Sequence, residues 1–228
     1  MVWNLQFPLA QFRGGRESID IELDPRPRGF IRDTLQQSDG SSDALFLQFE
    51  VVPTEPQLPL NIESLRCGDT YVRDSDLIAI YPQEDPWPFG YQVDLRFRHD
   101  LPGGLRGIEL WLSVSTSLLA CHPTLHLIAG TGCNMPGRHD LPGSDLIAVA
   151  ASGRAAILVH PLDQSDCEPV PSNDGQSIGH WDVFGGFMEK GVIRRARFLL
   201  AWNATPQPDS TWQHALDWFA QLPLPLTA

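Results

Sequence analysis

The sequence predicts an all-β protein, an antiparallel two-sheet sandwich or supersandwich with one short amphipathic helix at the C-terminal end. Three observations carry that expectation. Tyr91–Arg98 and Ile108–Ser115 alternate apolar and polar residues with almost no errors. A strand turns successive side chains to opposite sides, so this rhythm means one dry face and one wet or differently packed face. Gly, Pro, Asn and Asp punctuate the chain at short intervals, as turns between strands require. Helical spacing shows up at the end, where Trp212, Ala215, Leu216 and Phe219 recur on one stripe.

The elements follow in order. Ser18–Leu23 places Ile19, Ile21 and Leu23 against Ser18, Asp20 and Glu22, and Leu45–Val51 turns Leu45, Leu47, Phe49 and Val51 inward. Pro25, Pro27, Gly29 and the polar run Gln36–Asp43 between them read as a loop. Tyr71–Val72 and Leu77–Tyr81 flank Arg73-Asp74-Ser75-Asp76, a hairpin turn. The three prolines of Tyr81–Gly90 make a rigid loop, because proline lacks the ladder donor. In Tyr91–Arg98, Tyr91, Val93, Leu95 and Phe97 oppose Gln92, Asp94, Arg96 and Arg98. Ile108–Ser115 sets Ile108, Leu110, Leu112 and Val114 against Glu109, Trp111, Ser113 and Ser115, and the short Asp100–Gly104 link makes the two strands an antiparallel pair. Further strands are expected at Thr124–Ala129, Leu146–Ala150, Ala156–His160 and Trp181–Met188, with Leu162–Ser177 a polar loop. Val192–Trp202 reads as a strand, its even positions apolar except for Arg194, although Ile193–Arg197 also tolerates a helix. Arg194 then points into an apolar face and calls for a buried acidic partner. The terminal helix spans 210–221, with Ser210 and Gln213 as its capping box and Pro223 as its stop. Its stripe is expected to lie on the outside of a sheet.

Residues 1–228 read as one domain, since no internal repeat or polar linker divides the chain. A chain of this size buries roughly 70% of its unfolded surface, enough for a core without metal or disulfide. The net charge of −12, with 28 anions against 16 cations, argues against nucleic acid as a partner. No apolar run is long enough to span a membrane. Met1–Ala10 lacks a basic segment followed by an apolar run, so a secretory leader is not expected. Cys67, Cys121, Cys133 and Cys167 are too scattered for a disulfide framework, which makes a reduced, cytoplasmic protein the expectation.

Several segments, taken as a set, are distinctive: Thr70–Ala79, Glu109–Leu119 with His122-Pro123, and Met188–Arg197. Together they resemble a family of uncharacterised bacterial proteins whose fold is similar to the galactose mutarotase-like β-sandwich. The resemblance implies a two-sheet supersandwich and a carbohydrate-related role. Mutarotases proper use a histidine acid and a glutamate base, and neither motif aligns here residue by residue.

Several residues carry candidate chemistry. Trp111 sits in the polar register beside Glu109, Ser113 and Ser115, as a sugar platform would; the alternative is a ring covered by the terminal helix or a loop. Trp87 and Phe89 either rim a groove or plug one end of the sandwich. His122 and His126 are possible ligand contacts; with Cys121 and Cys133 they offer zinc donors, but at a spacing that matches no standard site. His180 and Asp182 share a strand face at i, i+2, and with Glu189 they form the candidate catalytic set for proton transfer to and from a sugar ring, with Glu109 or Glu189 as base. The plainer reading of His180 and Asp182 is a surface pair before a glycine bulge. No metal or cofactor is expected. Serine-triad, Walker, dinucleotide and zincin motifs are absent from the sequence. The functional expectation is a carbohydrate-binding protein; the alternatives are an aldose 1-epimerase-like isomerase and a non-catalytic interaction scaffold.

Overall fold

Alternating side chains pair into ladders wherever both neighbours bring a matching apolar face. The computed structural model of the chain describes residues 3–14, 17–36, 42–54, 66–131, 138–140, 145–171 and 177–223. Its strands are β1 (Trp3–Gln6), β2 (Leu9–Gly14), β3 (Glu17–Glu22), β4 (Arg28–Gln36), β5 (Ser42–Thr54), β6 (Asp69–Arg73), β7 (Asp76–Tyr81), β8 (Gly90–Arg98), β9 (Arg106–Ser115), β10 (Thr124–Thr131), β11 (Arg138–Asp140), β12 (Ile147–Ala150), β13 (Ala155–Val159), β14 (Cys167–Pro169), β15 (Ser177–Phe184) and β16 (Ile193–Trp202), followed by helix α1 (Asp209–Ala220). They form two sheets, β1-β2-β3-β4-β5-β10-β15-β14 and β11-β12-β13-β16-β9-β8-β7-β6. Every pairing within them is antiparallel. No helix among the described residues is long and apolar enough to cross a membrane.

The main core lies between the sheets. Ile19, Ile21, Ile31, Leu47, Phe49, Val51, Leu125 and Leu127 come from the first sheet, and Leu77, Val93, Leu95, Ile108, Leu110, Leu112, Phe198, Leu200 and Trp202 from the second. β8 and β9 are the expected antiparallel neighbours, with Tyr91 opposite Val114 and Leu95 opposite Leu110. Of the expected Val192–Trp202 strand, Ile193–Trp202 forms as β16. Its partner β9 is already apolar on the inner face, and Ala196, Phe198, Leu200 and Trp202 complete that layer. Arg194 pairs with Asp166 and lies 5.6 Å from the Phe184 ring centre. Both partners of that ion pair are about a quarter exposed, so it is not the buried bridge that the register suggested.

A second, smaller core sits on the outer face of the second sheet. Ile147, Val149, Ala156, Leu158, Leu199 and Ala201 face outward there, and Trp212, Ala215, Leu216 and Phe219 of α1 cover them. This is why β12 and β13 read as unbroken apolar runs: both of their faces are buried. Burying Trp212, Leu216 and Phe219 contributes on the order of 1.5–3 kcal/mol each. The expected capping box does not form. The helix starts one residue earlier, with Pro208 at the cap position and no side-chain cap bond, and Gln213 instead donates to Asp217 at 3.2 Å.

The loop expected between Pro25 and Asp43 is a further correction. Arg28–Gln36 is strand β4, paired to β3 and β5. Gly29 misleads the eye because its role is spatial: it faces Phe49, and a Cβ there would stand 2.0 Å from the ring. The polar loop after His160 likewise contains order, a 3-10 turn at Pro161–Asp166 followed by β14.

Candidate functional site

The outer face of the second sheet divides in two. Helix α1 covers one half, and the other half is a polar trough. One cross-strand row runs Tyr71, Ile78, Asp94, Trp111, Arg197 over β6, β7, β8, β9 and β16. The next row contains Ile80, Gln92, Ser113 and Arg195. The trough has a volume of about 380 Å³ and is lined by Tyr71, Arg73, Gln92, Asp94, Trp111, Ser113 and Arg195, among others. Gln92 Nε2 donates to Asp94 Oδ1 at 2.7 Å. Burial pushes the Asp94 carboxyl above its usual range and the nearby Asp76 adds to this, while the Gln92 bond and the charges of Arg73 and Arg195 pull it back. Asp76 is itself held by both Nε and Nη2 of Arg96, at 2.6 and 2.5 Å.

Trp111 is a wall of this trough and not an open platform. It is 8% exposed. Its Nε1 donates to Glu109 Oε1 at 2.8 Å, and the Arg197 guanidinium lies 5.3 Å over its ring. Arg197 is buried and donates through Nε to Asp163 Oδ2 at 2.8 Å and through Nη2 to His160 Nδ1 at 2.9 Å. His160 Nδ1 also accepts from the Leu162 backbone at 3.2 Å, which assigns the neutral ring's proton to Nε2. Glu109 faces Arg98 at 3.8 Å, and Arg98 stacks 5.0 Å from Trp218. Glu109 therefore ties the trough to the helix.

The candidate histidines lie elsewhere. On the outer face of the first sheet, His126 of β10 stands directly opposite Asp182 of β15, and its Nδ1 is 2.5 Å from Asp182 Oδ1. His180 Nε2 is 3.9 Å from the same oxygen, and the two imidazoles meet at 5.4 Å between ring centres. Glu50, in the adjoining row, is taken up by Arg26 and Arg28, whose contacts hold its carboxyl below the usual range despite its burial.

The structure thus joins His180 to Asp182, as the sequence suggested, and adds His126 to them. It does not add Glu189, which is exposed in the turn before β16, nor Glu109, which faces outward from the opposite sheet. The sandwich core separates Trp111 and Glu109 from His126 and His180, so no single pocket unites them. Trp87 and Phe89 are plugs: both are core residues, packed edge to face at 6.3 Å. His122 packs against Phe187 at 5.8 Å. Cys121 points into the core while His126 points out, which breaks up the zinc spacing; Cys133 lies outside the described residues. Burial pushes the Cys67 and Cys167 thiols up, so neither is a ready nucleophile. Compared with models of protein families, with curated proteins and with solved structures, the chain matches none.

Sequence reasoning passed over Asp94, Arg73, Arg195, His160 and Arg197. The available signal was the wet register of Tyr91–Arg98: once β8 lies beside β9, its outward residues must share a surface with Trp111.

Proposed function

We propose that the chain binds a carbohydrate, or a similarly hydroxylated small ligand, in the trough over β6–β9 and β16. The arrangement of Asp94 carries this reading: a partly buried carboxylate, oriented by Gln92 and flanked by Arg73 and Arg195, at the edge of an indole. A carboxylate accepts protons from adjacent hydroxyls, guanidinium and amide groups donate to their oxygens, and the ring edge shields the C–H face. A volume of about 380 Å³ falls in the range of small-ligand sites, roughly 300–1,000 Å³. The resemblance to mutarotase-like sandwiches supports the same ligand class by analogy.

A glycan array followed by calorimetry on its strongest binders tests this. Asp94→Asn is expected to weaken binding by about tenfold or more, the value of one lost charge-assisted bond, with His180→Ala neutral. Binding that ignores Asp94→Asn refutes the trough, and no response to any sugar leaves the scaffold reading. The epimerase reading draws no support from geometry, since the candidate pair His180 and Asp182 shares no site with Glu109 or Glu189. Polarimetry on fresh α-glucose, with no acceleration over buffer, is the expected result.

A further inference from the structure

We infer that His126, His180 and Asp182 form a binding site for a divalent transition-metal ion of the zinc class, on the opposite face of the sandwich from the trough. Each residue offers one ligand atom, and these atoms all lie within 4.8 Å of one another. Zinc holds nitrogen and oxygen ligands at about 2.0–2.2 Å in a tetrahedron, which spaces them about 3.3 Å apart. The observed separations around Asp182 Oδ1, 2.5 Å to His126 and 3.9 Å to His180, bracket that spacing.

The convergence needs two elements. Residues at i, i+2 on a strand stand about 6.7 Å apart along the backbone, so His180 and Asp182 must lean together to approach within 3.9 Å. The register of β10 on β15 brings His126 in from the side. A simple imidazole–carboxylate bond requires one ring, and here two rings address one oxygen. His126 and Asp182 are 29% and 37% exposed and leave an approach from solvent and an outward position for water, while His180 Nε2 is itself buried. Imidazole with carboxylate suits zinc, cobalt, iron or nickel and disfavours calcium and magnesium, which take all-oxygen shells. Glu50 does not compete, because Arg26 and Arg28 occupy it.

Zinc titration by calorimetry and cobalt(II) absorption, both on the full chain, test the site. One ion per chain is expected, with a ligand-field spectrum lacking thiolate-to-cobalt charge transfer. His126→Ala, His180→Ala and Asp182→Asn should each weaken zinc by at least about tenfold, the low end of what even an outer-shell change costs, with far-ultraviolet dichroism confirming the fold. In the unmutated protein, zinc should shift the imidazole resonances of two of the seven histidines. No zinc binding, equal affinity in the His126→Ala/His180→Ala double variant, a charge-transfer band, or shifts at other histidines would each overturn the assignment. Sugar binding by the trough is read separately and stands or falls on Asp94→Asn.

Discussion

His126 and Asp182, fifty-six residues apart in the chain, face each other across β10 and β15 with Nδ1 2.5 Å from Oδ1. The pair is about one third exposed, so water screens it. Without metal, Asp182→Ala should cost less than about 1 kcal/mol, measured by urea unfolding in the presence of a chelator. A loss of several kcal/mol would mean that the pair holds β15 against β10.

Arg197 has the opposite character. It is 2% exposed, it bonds Asp163 and His160, and it covers Trp111. Removing one partner of a buried charged network strands the others, so Arg197→Ala should cost about 3–5 kcal/mol. Arg197→Met keeps an apolar stem in the buried site but still strands Asp163, and should recover only part of that loss. Denaturant midpoints at constant m-value measure both; a cost under about 1 kcal/mol for Arg197→Ala contradicts the network.

His160 makes stability depend on pH. Burial first, and then the Arg197 charge, lower its pKa in the folded protein, while Asp163 opposes them. The unfolded ring, with its ordinary pKa of about 6.5, binds a proton more readily than the folded one. The contribution is therefore complete above about pH 6.5 and is lost as pH falls through the folded value. His160→Asn should flatten the stability–pH curve in that acidic window relative to the unmodified chain, as followed by thermal melts. An unchanged slope would show that the ring titrates normally.

Gly29 and Phe49 are a coupled pair. A Cβ at position 29 meets the Phe49 ring at 2.0 Å, so Gly29→Ala must displace the ring or split β4 from β5. The expected cost is about 1–3 kcal/mol, as for other overpacked cores. In a Phe49→Leu background the same change should cost less, and a double-mutant cycle reads the difference. Additive effects would remove the contact from the explanation.

The trough shows where local pattern stops being informative. Gln92, Asp94 and Arg96 are simply the wet side of a strand until β9 and β16 lie alongside and place Trp111, Ser113 and Arg195 among them. Trp111 was legible as an outward indole, but its covering by Arg197 depends on a pairing made 86 residues further along. Glycine and proline also misled the local reading. Gly29 looked like a breaker and is a spacer inside β4, while Pro208, not Ser210, stands at the start of the helix.

Side-chain rhythm alone determined the all-β class and the terminal helix with its four buried residues, because which face of an element turns dry is a local property of spacing, and the short link after β8 added the β8–β9 pair, while β16 stayed open between strand and helix. Only the tertiary structure decided which wet faces meet. It moved His126 away from Cys121 and beside Asp182, put Glu109 and Trp111 on the far side of the core, and enlisted Asp94 with Arg73 and Arg195. The physical reason is that sheet order joins strands distant in the chain, and a site is built from their cross-strand neighbours.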